Sequence, residues 1–221
     1  MMKQPQLYEK YRPRTFADVV GQDKAVRTIQ EVLEREEWGG QAWWLSGPSG
    51  VGKSTLAWII ARMGADDLCI RKYDSADVLD MQALDQINRE QDMYGWVTAA
   101  KSGRAFIVDE AHGVRGATVR RLLGLLERIP SHVVWIFTTT KQGEAKLFGK
   151  EIDASPLLSR CHEISLTGQG LCKPFAKLAQ RIARAEGLDG KDLPAYENLL
   201  KEDHNNLRRA LMAIADGRMK E

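Results

Sequence analysis

The sequence predicts an α/β fold: a parallel sheet covered by helices on both faces, followed by a small all-α unit. Three observations carry this expectation. Short apolar runs alternate with helical periodicities up to about Thr167, the pattern of a parallel sheet with crossover helices. The first apolar run passes through a Gly-rich turn directly into a helical pattern. From about Gly168 strand-like runs stop and only helical periodicities remain. The expected division is 1–167 for the α/β domain and 168–221 for a helical lid domain.

The elements follow in order. After the Pro-bearing opening, Asp23 is a candidate cap for a helix with Val26, Ile29, Val32 and Leu33 on one face, broken by Gly39-Gly40. Ala42-Trp43-Trp44-Leu45 reads as a strand, and Leu56, Ile59, Ile60 and Met63 as the buried stripe of the helix after the turn. Further strands are expected at Leu68 to Tyr73, Ala105 to Asp109 and Val133 to Thr138. Leu79 to Ala100 and Val114 to Ile129 read as the helices between them, the second burying Leu122, Leu123, Leu125 and Leu126. Leu171 to Glu186, Leu193 to Lys201 and Leu207 to Ala215 read as the three helices of the lid.

With 221 residues, of which 43% are hydrophobic, the chain is long enough to bury a sizeable core. Its 32 basic and 30 acidic residues leave a formal charge of +2, so any nucleic-acid surface must be local. Cys69, Cys161 and Cys172 are too scattered for a disulfide framework or zinc knuckles. No run approaches the roughly 18 apolar residues of a membrane span, and the opening MMKQPQLYEKYRPRTF lacks the apolar centre of a secretion signal. A cytoplasmic protein without membrane or zinc partners is expected, associated with the nucleoid if its source is bacterial or phage.

The chemistry lies in two motifs. Gly47-Pro48-Ser49-Gly50-Val51-Gly52-Lys53-Ser54 fits G-x-x-x-x-G-K-[ST] between a strand and a helix, and Thr55 follows. Its glycines let backbone N–H groups close around phosphates, Lys53 can meet the β- and γ-phosphates, and the Ser54 hydroxyl can ligate magnesium. This predicts a P-loop nucleotide-binding fold. Phe106-Ile107-Val108-Asp109-Glu110 is a strand ending in two carboxylates. Asp109 is expected to hold the magnesium shell, and Glu110 to orient and deprotonate the attacking water. His112 completes Asp-Glu-Ala-His without an obvious metal partner, as a structural histidine would.

Four further stretches give the chain a resemblance to the clamp-loader family of AAA+ ATPases, of the replication factor C small-subunit and bacterial DNA polymerase III gamma/tau type. Tyr8-Glu9-Lys10-Tyr11-Arg12-Pro13, followed by Phe16-Ala17-Asp18-Val19-Val20-Gly21-Gln22, resembles the family's opening segment. That implies Tyr11, Arg12, Pro13, Val19 and Val20 beside the adenine. Ser159-Arg160-Cys161 matches the motif whose arginine enters a neighbouring subunit's ATP site. Thr139-Thr140 is similar to the polar sensor of the γ-phosphate, with Thr140 the candidate, and Asn206-Leu207-Arg208-Arg209-Ala210-Leu211 to the second sensor, in which Arg208 approaches the phosphates.

The resemblance implies ATP and ADP with Mg2+ as cofactors and hydrolysis between neighbouring AAA+ subunits of an oligomer. A sliding clamp and primed DNA are the implied partners, with Arg89, Lys101, Arg104, Arg115, Arg120 and Arg121 as DNA-contact candidates. The chain departs from the family in four places. The zinc-binding insertion of bacterial gamma/tau proteins is absent, since only Cys69 lies between the two phosphate motifs. Lys141 to Pro156 is longer than expected, Asn205 stands where glycine is usual, and the sequence stops at Glu221, where clamp loaders continue into a helical collar. It is therefore expected to be either the ATPase module of a longer protein or a short relative. The alternatives are a stand-alone AAA+ ATPase for helicase loading, transposition or recombination, and a non-hydrolysing nucleotide-binding scaffold.

Overall fold

The computed structural model of the protein describes residues 6–93, 101–113, 116–140 and 155–220. The described strands form one parallel sheet of order β2-β3-β4-β1-β5. They are β1 (Gln41–Ser46), β2 (Ala65–Tyr73), β3 (Gly103–Val108), β4 (Val133–Thr139) and β5 (His162–Ser165). From β1 the chain runs out to β2, returns through β3 and β4 to the flank of β1, and then crosses to β5 on its other side. The order thus reverses between β4 and β1, and a crevice opens beyond the carboxyl ends of strands at such a point.

Side-chain alternation explains why the inner strands read as unbroken apolar runs. Trp43 and Leu45 of β1, Ala105 and Ile107 of β3, and Val134 and Ile136 of β4 enter one buried cluster. Their neighbours Trp44, Phe106, Val108, Trp135 and Phe137 enter a second cluster on the opposite face. With both faces covered, both register positions are apolar through the middle of these strands, and buried polar residues such as Gln41, Arg104, Thr138 and Thr139 stand at the strand ends. β5 is different: only Ile164 of its four residues is buried, and this edge strand carries no apolar run for sequence reading to find.

The first cluster is closed by α2 (Asp23–Arg35), α3 (Lys53–Gly64), α7 (Cys172–Ala185), α8 (Leu193–Glu202) and α9 (Leu207–Ala215). Against the second lie α4 (Met81–Gln91), α5 (Gly116–Leu126) and the short α6 (Ser155–Leu158). A four-residue α1 (Leu7–Lys10) packs on α9. Caps set several starts: Asp80, Asp192 and Asn206 each accept a hydrogen bond from a backbone N–H two or three residues into α4, α8 and α9. Buried residues of α7, α8 and α9 share the cluster that fills one face of the sheet.

Several expectations need correction. Gln22, not Asp23, is the N-cap of α2, and Asp23 is its first helical residue, where a negative charge favours the amino end. Met63 lies off the buried stripe of α3 and is 46% exposed. α4 ends at Gln91, while 94–100 lie outside the described residues, as do 141–154 of the long Lys141 to Pro156 segment.

Among the DNA-contact candidates Arg104 is buried, 4.0 Å from Glu90 and donating to the Met93 carbonyl, so it faces no ligand. Lys101 donates to the Arg62 carbonyl, and Arg121 pairs with Asp85 at 2.8 Å. Arg89 and Arg120 are exposed, and Arg115 lies outside the described residues. No helix among the described residues is long and apolar enough to cross a membrane.

Candidate active site

The phosphate loop leaves the carboxyl end of β1 and re-enters helix at Lys53, so the free N–H groups of the first turn of α3 open on the crevice between β1 and β4. The turn requires positive φ at Gly50 (78°) and Gly52 (110°), angles that a side chain disfavours. At Gly50 there is no room either, since a Cβ would stand 2.0 Å from Asn206 Oδ1. Gly50→Ala is therefore expected to lower stability by about 2 kcal/mol or more, read as a fall in the thermal midpoint. An unchanged midpoint would mean that loop and helix do not touch.

Lys53 is 7% exposed. Its ammonium donates to the carbonyls of Gly47 at 2.8 Å and Pro48 at 2.7 Å. Burial pushes its pKa down, the Glu110 and Asp109 carboxylates work against that, and Arg208 adds to it. Gln22 braces the loop from outside, donating through Nε2 to the carbonyls of Val51 at 3.3 Å and Thr167 at 2.9 Å.

Asp109 follows β3, whose register sets Val108 beside Phe137 of β4. One step further, the Thr138 hydroxyl donates to Asp109 Oδ1 at 2.7 Å, and the Ser54 hydroxyl donates to the same oxygen at 3.3 Å. Asp109 Oδ2 lies 3.0 Å from Lys72 Nζ. Burial opposes the Lys72 charge, but hydrogen bonds to Asp74 and Asp109 leave its pKa above the ordinary lysine value. Ser54 and Asp109 thus present hard oxygen donors side by side, which suits magnesium: that ion takes one or two carboxylates and completes its shell with water and phosphate.

Glu110 adopts φ 49°, a left-handed angle rare outside glycine and concentrated at functional sites. Its Oε2 accepts from the Thr140 hydroxyl at 3.2 Å and lies 3.3 Å from His112 Nδ1. His112 Nδ1 is also 3.1 Å from Thr139 Oγ1.

Lys53, Ser54, Lys72, Asp109, Glu110 and Thr138 border a cavity of about 370 Å3. Its walls hold most of the residues expected from sequence: Tyr11, Arg12, Pro13, Val19, Val20, Ser49 through Thr55, Asp109, Glu110 and Arg208. Tyr11 is fixed there by donating to Glu186 of the helical region at 2.5 Å, and the Arg208 guanidinium lies 5.5 Å from the centre of the Tyr8 ring. Gly47 and Pro48 stand behind Lys53 instead of lining the space, and neither Thr140 nor Arg160 lines it. Sequence reasoning missed Tyr8, Lys72, Asp74, Thr138 and the apolar floor of Phe175, Leu178, Ile182, Leu207 and Leu211. The available signal was positional: Lys72 and Thr138 end strands at the level of Asp109.

Residues 43–165 match the family described as "ATPase family associated with various cellular activities (AAA)". DNA polymerase III subunit gamma/tau of Mycobacterium tuberculosis is 33% identical over 156 residues, 61% of this chain and 27% of that protein. DNA polymerase III subunit tau of Bacillus subtilis is 27% identical over 82% of this chain and 35% of its own length. DNA polymerase III subunit gamma of Buchnera aphidicola is 26% identical over 93% of this chain and 59% of its own length. The chain therefore spans from 27% to 59% of these relatives. In fold it is similar to a Thermotoga maritima RuvB variant, with a TM-score of 0.70 at 23% identity, over 93% of this chain and 64% of that one. The RuvB Holliday junction branch migration motor of the same organism gives 0.67 at 22% identity.

Proposed function

Because the chain belongs to the AAA family of ATPases, we propose that it binds ATP with magnesium in the cavity beyond β1, β3 and β4 and hydrolyses it as a subunit of an AAA+ oligomer. Its relation to DNA polymerase III gamma/tau subunits supports replication as the process, with a sliding clamp and primed DNA as the proposed partners. The observation that carries the reading is the convergence of Lys53, Ser54, Asp109 and Glu110 at the carboxyl ends of adjacent strands.

In this reading Lys53 and the N–H groups of α3 hold the β- and γ-phosphates. Ser54 and Asp109 hold magnesium, which neutralises charge on the phosphate oxygens. Glu110 takes the proton of the attacking water, steered by Thr140 and His112. Tyr11, Arg12, Pro13, Val19 and Val20 flank the base. Residues 168–221 act as the lid, and Arg208 on α9 reaches from it toward the phosphates. Arg160 acts on a neighbour's nucleotide, which the sheet topology supports, since Arg160 precedes the parallel strand β5 and so lies at the end of the sheet away from the loop.

Binding and chemistry separate at Glu110. Glu110→Gln keeps the side chain's size and its hydrogen bond with Thr140 but not its basicity. It is expected to bind MgATP with unchanged affinity and to release phosphate about a hundredfold more slowly or worse. Turnover at the unmodified rate would remove Glu110 as the base.

A further inference from the structure

Both oxygens of Asp109 are engaged by groups of the protein itself. Oδ1 accepts from Thr138 and Ser54, and Oδ2 faces the Lys72 ammonium at 3.0 Å. Lys72 is placed there by the sheet. It pairs in register with Ile107, Asp109 lies two residues further along on the same face, and the Asp109 N–H donates to the Tyr73 carbonyl at 2.8 Å, carrying the ladder past the strand end. Side-chain exposure is 29% for Lys72 and 14% for Asp109, so solvent screens the pair only in part.

Lys72 also has a second partner. Its ammonium bonds Asp74, whose carboxylate is largely in solvent, and both residues line the cavity. One cation is thus shared between a half-buried carboxylate that the proposed nucleotide reaction needs and an exposed one that it does not.

Resting on the ATPase reading above, we propose that Lys72 is a built-in competitor of magnesium for Asp109. The ammonium neutralises the carboxylate while the site lacks metal, and it withdraws to Asp74 when the metal is bound. Lys72 is a positioning residue: it sets how much magnesium is needed to load nucleotide, and it keeps Asp109 from repelling a phosphate that arrives without metal.

The two partners of Lys72 make opposite predictions. In the full chain, binding of a fluorescent ATP analogue is followed while magnesium is titrated, and separately in EDTA. Lys72→Met is expected to lower the magnesium concentration at half-maximal binding by about fivefold, the scale of a half-exposed ion pair, and to weaken binding in EDTA. Asp74→Asn deprives Lys72 of its second seat and is expected to raise that concentration. Lys72→Arg, which keeps the charge, is expected to stay near the unmodified midpoint.

A merely structural lysine would weaken binding in magnesium and in EDTA together, and that result overturns the proposal. So does a Lys72→Met protein that binds with an unshifted or raised midpoint. Absence of nucleotide binding by the unmodified protein would overturn the ATPase reading itself, and this inference with it.

Discussion

Lys53→Ala is expected to remove ATP binding. Lys53 is the cation supplied by the phosphate loop, and it is held nearly out of water among the Gly47 and Pro48 carbonyls. Its neighbours Asp109 and Glu110 are near enough to support its charge, so deleting the ammonium leaves two carboxylates facing an incoming triphosphate. One desolvated charge-assisted contact is worth up to about 3 kcal/mol, and the expected loss of affinity is therefore about a hundredfold or more. Titration of a fluorescent nucleotide reads the loss, and circular dichroism checks that the fold survives. The core around α3 is built from Leu56, Ala57, Ile59 and Ile60 and does not depend on the lysine. Undiminished affinity in a folded variant would refute the site.

Arg160→Ala is expected to bind ATP almost normally yet hydrolyse it about a thousandfold more slowly, the scale of an arginine that stabilises charge on the transferred phosphoryl from another subunit. Among the described residues Arg160 has structural partners: it donates to the Pro156 carbonyl at 2.5 Å and to Glu127 Oε1 at 2.6 Å. Its neighbour Cys161 packs against the second buried cluster, and burial pushes that thiol up to about 12, so it anchors the turn without reactivity. Mixing Arg160→Ala with Lys53→Ala supplies intact arginines from one variant and intact loops from the other. Activity is expected to return in the mixture and to rise with protein concentration. Full activity of Arg160→Ala alone, or a mixture that stays inactive while mixed oligomers form, would refute the shared site.

The loop and the Asp109-Glu110 pair were legible because their chemistry depends on spacing along the chain, and that spacing survives in any fold that uses it. The choice of Thr140 over Thr139 rests on the resemblance, not on spacing, and it passes over Thr138. Strand register alone sets Thr138 beside Asp109 and leaves Thr140 to meet Glu110. Arg104 entered the DNA-contact candidates through the resemblance alone, but it lies buried in β3, 4.0 Å from Glu90 of α4 and donating to the Met93 carbonyl. β5 escaped notice since an edge strand with one buried residue has almost no hydrophobic signature. Lys72 carries no motif at all. Its meaning comes from the residue that the neighbouring strand sets against it. Asn205 was legible in the opposite way: its tolerance for left-handed backbone is used, at φ 60°.

The tight fit at Gly50 has a mechanical consequence. Asn206, which fills the space a Cβ would take, is also the cap that fixes the start of α9. Loop and helix therefore abut at this point, and a shift of the loop toward Asn206 presses on the start of the helix. A helix of nine residues is a rod about 14 Å long, so a tilt set at its first turn is carried to its far end.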